Sequence, residues 1–237
     1  RCLPRGAEAT AAGAGAGVPK VGVLGGAFPV TNDDFMARLA ALGGNAADPD
    51  RVVMWADLEM PRCSVDPEGC YVSMLRGTKA LRDEHGCTHV CFPCCTAHQW
   101  FDKLSEDVPE LETIHMVNKT IEKCESDGRK PLGLLATTLT VKMELWGKEM
   151  VIPTETTQAR IQEAVESVGT GKTGVLADGT KAVEVLAAAA RELEAAGAQA
   201  IVLGCTDIGT YCPRDACGVP LVDAMDSLSV AIAECVA

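Results

Sequence analysis

From residue 21 onward the chain alternates short apolar runs with longer stretches whose apolar positions recur at helical spacing. The runs "VGVLGG" (21–26), "RVVMWAD" (51–57) and "HVCFPC" (89–94) are bounded by Gly or Pro, and between them lie "DDFMARLAAL" (33–42) and "SMLRGTKALRDEHG" (73–86). Short apolar runs followed by 3.6-period segments predict strand–helix–strand units on a parallel sheet. The second half repeats the scheme. "GLLA" (133–136) and "AIVLGC" (200–205) read as buried strands, and "KAVEVLAAAARELEAAGAQ" (181–199) as an amphipathic helix.

The spacing turns this pattern into an architecture. Gly22 and Gly133 are 111 residues apart, as are Cys94 and Cys205, and Val90, Phe92 and Pro93 align at the same offset with Ile201, Leu203 and Gly204. Two pseudo-symmetric α/β domains with parallel sheets are expected, each ending a strand in a cysteine. Open α/β sheets bind ligands at the carboxyl ends of their strands, which places the expected site in the cleft between the domains. The division predicted is residues 21–112 for the first domain, 113–220 for the second, and a C-terminal helix, 221–237, packing back on the first. Residues 1–20, "RCLPRGAEATAAGAGAGVPK", read as a flexible Ala/Gly-rich segment.

Composition narrows the function classes. The 237 residues are 47% hydrophobic, enough to bury a full core. A net charge of -12 and the lack of a Lys/Arg cluster argue against nucleic acid and against anionic membrane surfaces. No apolar run approaches the roughly 18 residues of a spanning helix. Twelve cysteines in a chain of this size read mostly as reduced, buried small hydrophobes of an intracellular protein.

The segment "CFPCCTAHQW" (91–100) has the densest candidate chemistry. Cys91 and Cys94 have one loop of zinc spacing, but no second pair follows, and His85, His89, His98 and His115 are scattered, so no metal is expected. A disulfide between neighbours Cys94 and Cys95 would be strained. "GTGKTG" (169–174) lacks the first glycine of a phosphate loop, because that place is Glu166, and "GVLGGAFPV" has no G-x-G-x-x-G, so no nucleotide cofactor is expected. The thiols of Cys94 and Cys205 remain. Each precedes a turn into a helix start, where backbone N–H groups favour a thiolate or a bound carboxylate. Either cysteine alone reads as a buried strand-end residue; the shared offset, with Thr96 and Thr206 following, favours a pair facing one cleft. Such a pair suits proton transfer at the carbon next to a carboxylate, with hydroxyls and N–H groups holding the enolate-like oxygens.

The motifs "GVLGGAFPVTNDDF", "PCCTAH", "GLLATTLT" and "VLGCTD" resemble, in order and spacing, those of the aspartate/glutamate racemase superfamily. The resemblance runs from about residue 21 to the C-terminus. It implies cofactor-independent catalysis by Cys94 and Cys205, a small carboxylate substrate contacted by Thr96, Thr137, Thr206, Asn32 and Arg62, and a homo-oligomer, dimer or tetramer. The departures are Gly26-Ala27-Phe28-Pro29 for Gly-Met-Gly-Pro, Cys95 for the usual Asn, Asn32 for a Thr, and Leu139 for a Gly. Val168-Gly169-Thr170 stands where dicarboxylate racemases carry a Lys, so a second basic group is expected to be missing. Within the superfamily the chain resembles the algal dimethylsulfoniopropionate lyases, which eliminate dimethyl sulfide and leave acrylate. A sulfonium favours aromatic faces, and Phe28, Trp100 and Trp146 stand near the motifs. That resemblance implies the cytoplasm or plastid of a eukaryotic alga. An amino-acid racemase, a small-carboxylate binding protein and a redox protein on the same scaffold are the alternatives.

Overall fold

A computed structural model describes residues 18–168 and 172–237. Most of the expected flexible segment 1–20, and Gly169–Gly171 of the rejected phosphate loop, lie outside the described residues. The protein is α/β, with two wholly parallel sheets. Strands β1 (Val21–Gly25), β2 (Val52–Ala56), β3 (His89–Cys91) and β4 (Glu112–Thr113) form the first, in the order β2-β1-β3-β4. Strands β5 (Leu132–Leu135), β6 (Ala200–Leu203) and β7 (Leu221–Asp223) form the second, in the order β5-β6-β7.

The 111-residue repeat is a repeat of register. Gly22 on β1 pairs with Val90 on β3, and Gly133 on β5 pairs with Ile201 on β6. Both glycines let a helix approach its strand closely. A Cβ on Gly22 would lie 2.7 Å from Leu81 Cδ1, and one on Gly133 would lie 3.2 Å from Leu193 Cβ. The repeat thins at one edge. Where β1 carries the five-residue β2 on its far side, β5 has a single bridge, Gly133 to Val151.

Nine helices occur among the described residues. In the first half α1 (Pro29–Leu42) follows β1, α2 (Pro67–Asp83) follows β2, and α3 (Phe101–Asp107) follows β3 after a 3-10 turn at Thr96–Trp100. Pro29 and Pro67 sit in the opening turns, and the Asp66 carboxylate caps α2 by accepting from Gly69 N at 2.9 Å. Helix α4 (Met116–Ser126) leads into the second half, where α5 (Thr138–Lys142), α6 (Glu155–Val168), α7 (Ala182–Ala195) and α8 (Thr206–Tyr211) surround β5 and β6. Helix α9 (Ala224–Val236) ends the chain.

A central apolar layer joins the two sheets. Val21, Val23 and Phe35 from the first half share it with Met116, Leu134 and Val202 from the second, and α9 adds Met225, Leu228, Ile232 and Val236. Two outer cores cover the remaining faces, one around Leu81, Val90 and Leu104, the other around Ile161, Leu186 and Ile201. Two expected boundaries need correction. Leu221–Asp223 belongs to the second sheet, through pairs such as Val202 with Val222, so only α9 crosses to the first half. A cut between residues 112 and 113 would split β4, whose Thr113 pairs with Val90.

Cys63 and Cys70 are joined in a disulfide with their Cα atoms 5.3 Å apart, while nine other described cysteines are free thiols. Among the described residues no helix is long and apolar enough to cross a membrane.

Candidate active site

A cavity of about 530 Å³ opens between the halves at the carboxyl ends of β1, β3, β5 and β6. Its size is ordinary for a small-molecule site. Cys94 and Cys205 both line it. Each sits past the end of a strand, where the chain turns sharply enough for backbone N–H groups to face the preceding sulfur. The backbone N–H groups of Thr96 and Ala97 lie where they favour a thiolate at Cys94, and those of Asp207 and Ile208 do the same at Cys205. The donors stand two and three residues after the thiol in both halves, so the repeat extends to the sulfur cradle.

Electrostatics set the resting state of these thiols. Burial pushes both above the ordinary range, Cys205 well above it. The cradling N–H groups pull in the opposite direction, as Arg62 does at Cys94, while the Asp207 carboxylate raises both further. Without a ligand the pair is therefore held as neutral thiols at neutral pH. Burial also raises Asp207, against the lowering effects of a hydrogen bond from Thr31 Oγ1 at 3.2 Å and of Arg62 nearby.

Around the thiols the cavity collects hydroxyls. Thr96, Thr137 and Thr206 line it. Behind the first two, buried Thr140 places its Oγ1 3.0 Å from Thr96 Oγ1 and 2.8 Å from Thr137 Oγ1, linking the halves through one hydroxyl chain. Thr137 also caps α5, accepting from Thr140 N. Asn32 is buried at the cavity edge and clasps the loop after β1: its Nδ2 donates to Gly26 O at 2.9 Å, and its Oδ1 accepts from Gly26 N at 3.2 Å. Arg62 lines the cavity with its guanidinium 5.3 Å from the centre of the Phe28 ring, which lines it too.

Two expected aromatics do not reach the cavity. The Trp100 ring packs 5.0 Å from that of Tyr71, because the 3-10 turn carries it to the outer core. Trp146 is 3% exposed in the central layer, with its indole against Gly204, where a Cβ would lie 2.9 Å from Nε1. Phe92 replaces them as a second aromatic wall residue, alongside Met60, Val65, Met74, Leu139 and Val165.

Sequence reasoning missed several residues that line the cavity or stand behind its wall. Thr31 and Asp207 lie within motifs that had been singled out, and Thr140 ends a third, so a signal was present. Lys142, Gln162 and Glu166 arrive from α5 and α6 with no local signal. Lys142 supplies a basic side chain on the wall where one was expected to be missing; Gly169 and Thr170 of that expectation lie outside the described residues. His98 fastens the Cys94 segment from behind. Its Nδ1 donates to Cys94 O at 2.9 Å while Nε2 accepts from Met116 N at 3.1 Å, an arrangement that only the neutral ring satisfies. Among the described residues no group of three or more His, Cys, Asp or Glu is placed to hold a metal ion.

Two parallel α/β layers thus meet over a thiol-lined cavity to which both halves of the chain contribute. The chain belongs to the Asp/Glu/hydantoin racemase family, whose model matches residues 24–232. Its fold is similar to that of Picrophilus torridus aspartate racemase, with a TM-score of 0.71 and 22% identity over 91% of this chain and 93% of that one. A putative Asp/Glu racemase from Yersinia pestis gives a TM-score of 0.74 and 19% identity, covering 91% and 98%. Glutamate racemase from Francisella tularensis, solved in complex with D-glutamate, gives 0.61 and 14%, covering 92% and 80%.

Proposed function

We propose that this enzyme abstracts the proton α to a substrate carboxylate with one of the two cavity thiols, Cys94 or Cys205, and that its reaction is the elimination of dimethyl sulfide from dimethylsulfoniopropionate. The observation that carries the first part is the pair of matching sulfur cradles facing one cavity. Arg62 and the hydroxyls of Thr96, Thr137 and Thr206 are the donors for the carboxylate, whose oxygens gain charge as the α C–H bond breaks. The proton passes to the thiolate. The electron pair of the C–H bond forms the C=C bond of acrylate, and the β C–S bond breaks with its pair leaving on dimethyl sulfide. Proton loss from the thiol to solvent resets the enzyme.

Charge and polarity favour elimination. Two cationic side chains, Arg62 and Lys142, and two acidic ones, Asp207 and Glu166, line the cavity, so the charges balance for a zwitterion of no net charge. The apolar wall of Met60, Val65, Met74 and Phe92 suits the methyl groups of a sulfonium. One observation favours a second reading: Lys142 could hold a second carboxylate, as racemisation of aspartate or glutamate requires. Headspace detection of dimethyl sulfide from dimethylsulfoniopropionate, beside Cys94→Ala and Cys205→Ala, separates the two. Release by the parent and by neither variant supports elimination. Silence, together with solvent deuterium entering L-aspartate or L-glutamate, supports racemisation.

A further inference from the structure

Asp207 is a cavity carboxylate with no cation at ion-pair distance among the described residues; Arg62 acts on it only through its field. It lines the cavity on the first turn of α8, two residues after Cys205. Thr31 Oγ1 from α1 donates to its Oδ1 at 3.2 Å, and it takes part in none of the ion pairs among the described residues. The charged and titratable groups facing it are Arg62 from the loop after β2, Cys94 from the end of β3, and Cys205 from its own strand end. Arg62 lies against the Phe28 ring and forms no ion pair with it. A half-buried anion held this way is costly unless a cation completes it. It also opposes the chemistry, because its charge raises both thiols when a base is needed.

One event relieves both conflicts. A positive group entering beside Asp207 pairs the carboxylate and offsets its field at the sulfurs. We propose that Asp207, oriented by Thr31, is the subsite for the cationic group of a zwitterionic substrate, sulfonium or ammonium, and makes the cavity select such zwitterions over plain carboxylates of the same shape. The inference rests on the reading of this cavity as a carboxylate site. It adds a specificity residue, Asp207, and a positioning residue, Thr31.

The test uses two unreactive ligands that differ by one charge, 3-(trimethylammonio)propionate and 4,4-dimethylpentanoate, with affinities measured by titration calorimetry on the full chain near pH 7.5. The parent protein is expected to prefer the cationic ligand by about tenfold or more. In Asp207→Asn, which keeps the shape of the side chain, the two affinities are expected to become equal within about threefold. Thr31→Val is expected to fall between, with Thr31→Ser restoring the parent's ratio. Equal affinities in the parent, binding of neither ligand, or an unchanged preference in Asp207→Asn would overturn the proposal. Assays of dimethyl sulfide release and deuterium exchange on the same preparations separate this failure from that of the function. Preference without turnover sinks the proton-transfer reading alone; turnover without preference sinks the subsite alone.

Discussion

The hydroxyls of Thr96 and Thr140, from opposite halves of the chain, lie 3.0 Å apart. Thr140 is fully buried and holds Thr137 as well, so one side chain fixes two donors aimed at the cavity. Thr140→Val keeps the volume and removes the link. Its expected effect is a fall in kcat/KM of about tenfold, with KM carrying most of it, and a stability loss of about 1 kcal/mol. Thr140→Ser is expected to recover most of the activity. If Val and Ser behave alike in steady-state kinetics, the hydroxyl chain has no role in binding.

The thiols give a prediction with a definite sign. Burial and Asp207 raise both Cys94 and Cys205, so the fraction present as thiolate in the free enzyme grows as pH rises. kcat/KM and the rate of iodoacetamide labelling are expected to climb together between about pH 7 and 9. The same raised values mean that folding favours the protonated thiols. Their contribution to stability is complete below the unfolded thiol value of about 8.5 and is lost as pH rises beyond it. Replacing either cysteine by Ser is expected to cut turnover by about 10² to 10⁴, because a hydroxyl is a far weaker base. Full activity in both single Ser variants would falsify the mechanism.

His98 predicts the opposite limb. Burial, with His115 beside it, lowers its pKa to about 3, whereas the unfolded chain protonates near the usual value of about 6.5. The folded-state value is depressed, so the stability it contributes is present above about pH 6.5 and drains away as pH falls toward 3. Over that window the free energy of unfolding is expected to drop by up to about 1.4 kcal/mol per pH unit from this residue. Urea titrations at several pH values, comparing the parent with His98→Asn, measure it. Identical slopes would show that His98 is not the group responsible.

Gly204 stands directly before Cys205, with no room for a side chain. A Cβ there would lie 2.6 Å from Leu134 Cδ1 and 2.9 Å from Trp146 Nε1. Gly204→Ala is expected to cost about 1–3 kcal/mol and to displace the second sulfur cradle. Loss of activity exceeding that of an equally destabilised variant away from the site, compared well below both melting points, would confirm the displacement.

Much of this was legible in the chain. The buried strands announced themselves as apolar runs, and the offset between Cys94 and Cys205 became an identical strand register in two sheets. Direction was harder to read than position. Trp100 stands five residues after Cys95, yet the intervening 3-10 turn sends it toward Tyr71. Trp146 lies between two positive-φ residues, Glu144 at φ 52° and Gly147 at φ 89°, in a reversal that leaves its ring in the core. Lys142 and Gln162 were illegible for another reason: their place at the cavity depends on how α5 and α6 pack, which no local pattern records. The missing counterpart of β2 was equally hidden, since a single bridge at Val151 leaves no strand-length signal.

The last helix has a consequence for how the molecule comes apart. Helix α9 departs from the second sheet at Asp223, whose carboxylate is gripped by Arg38 of α1 at 2.7 Å, and it ends at Val236, whose carbonyl accepts from Asn45 and Arg51 of the first half at 2.7 and 2.9 Å. Its apolar face lies wholly within the layer that both sheets share. Each half has an outer core of its own, but the central layer closes only when both are present, so the halves are folding partners before they are walls of a cleft. Thermal melting is expected to show one cooperative transition, with the amides of β1 and β5 exchanging through the same global opening. Removing the final turn of α9 would loosen the sheet that it does not belong to.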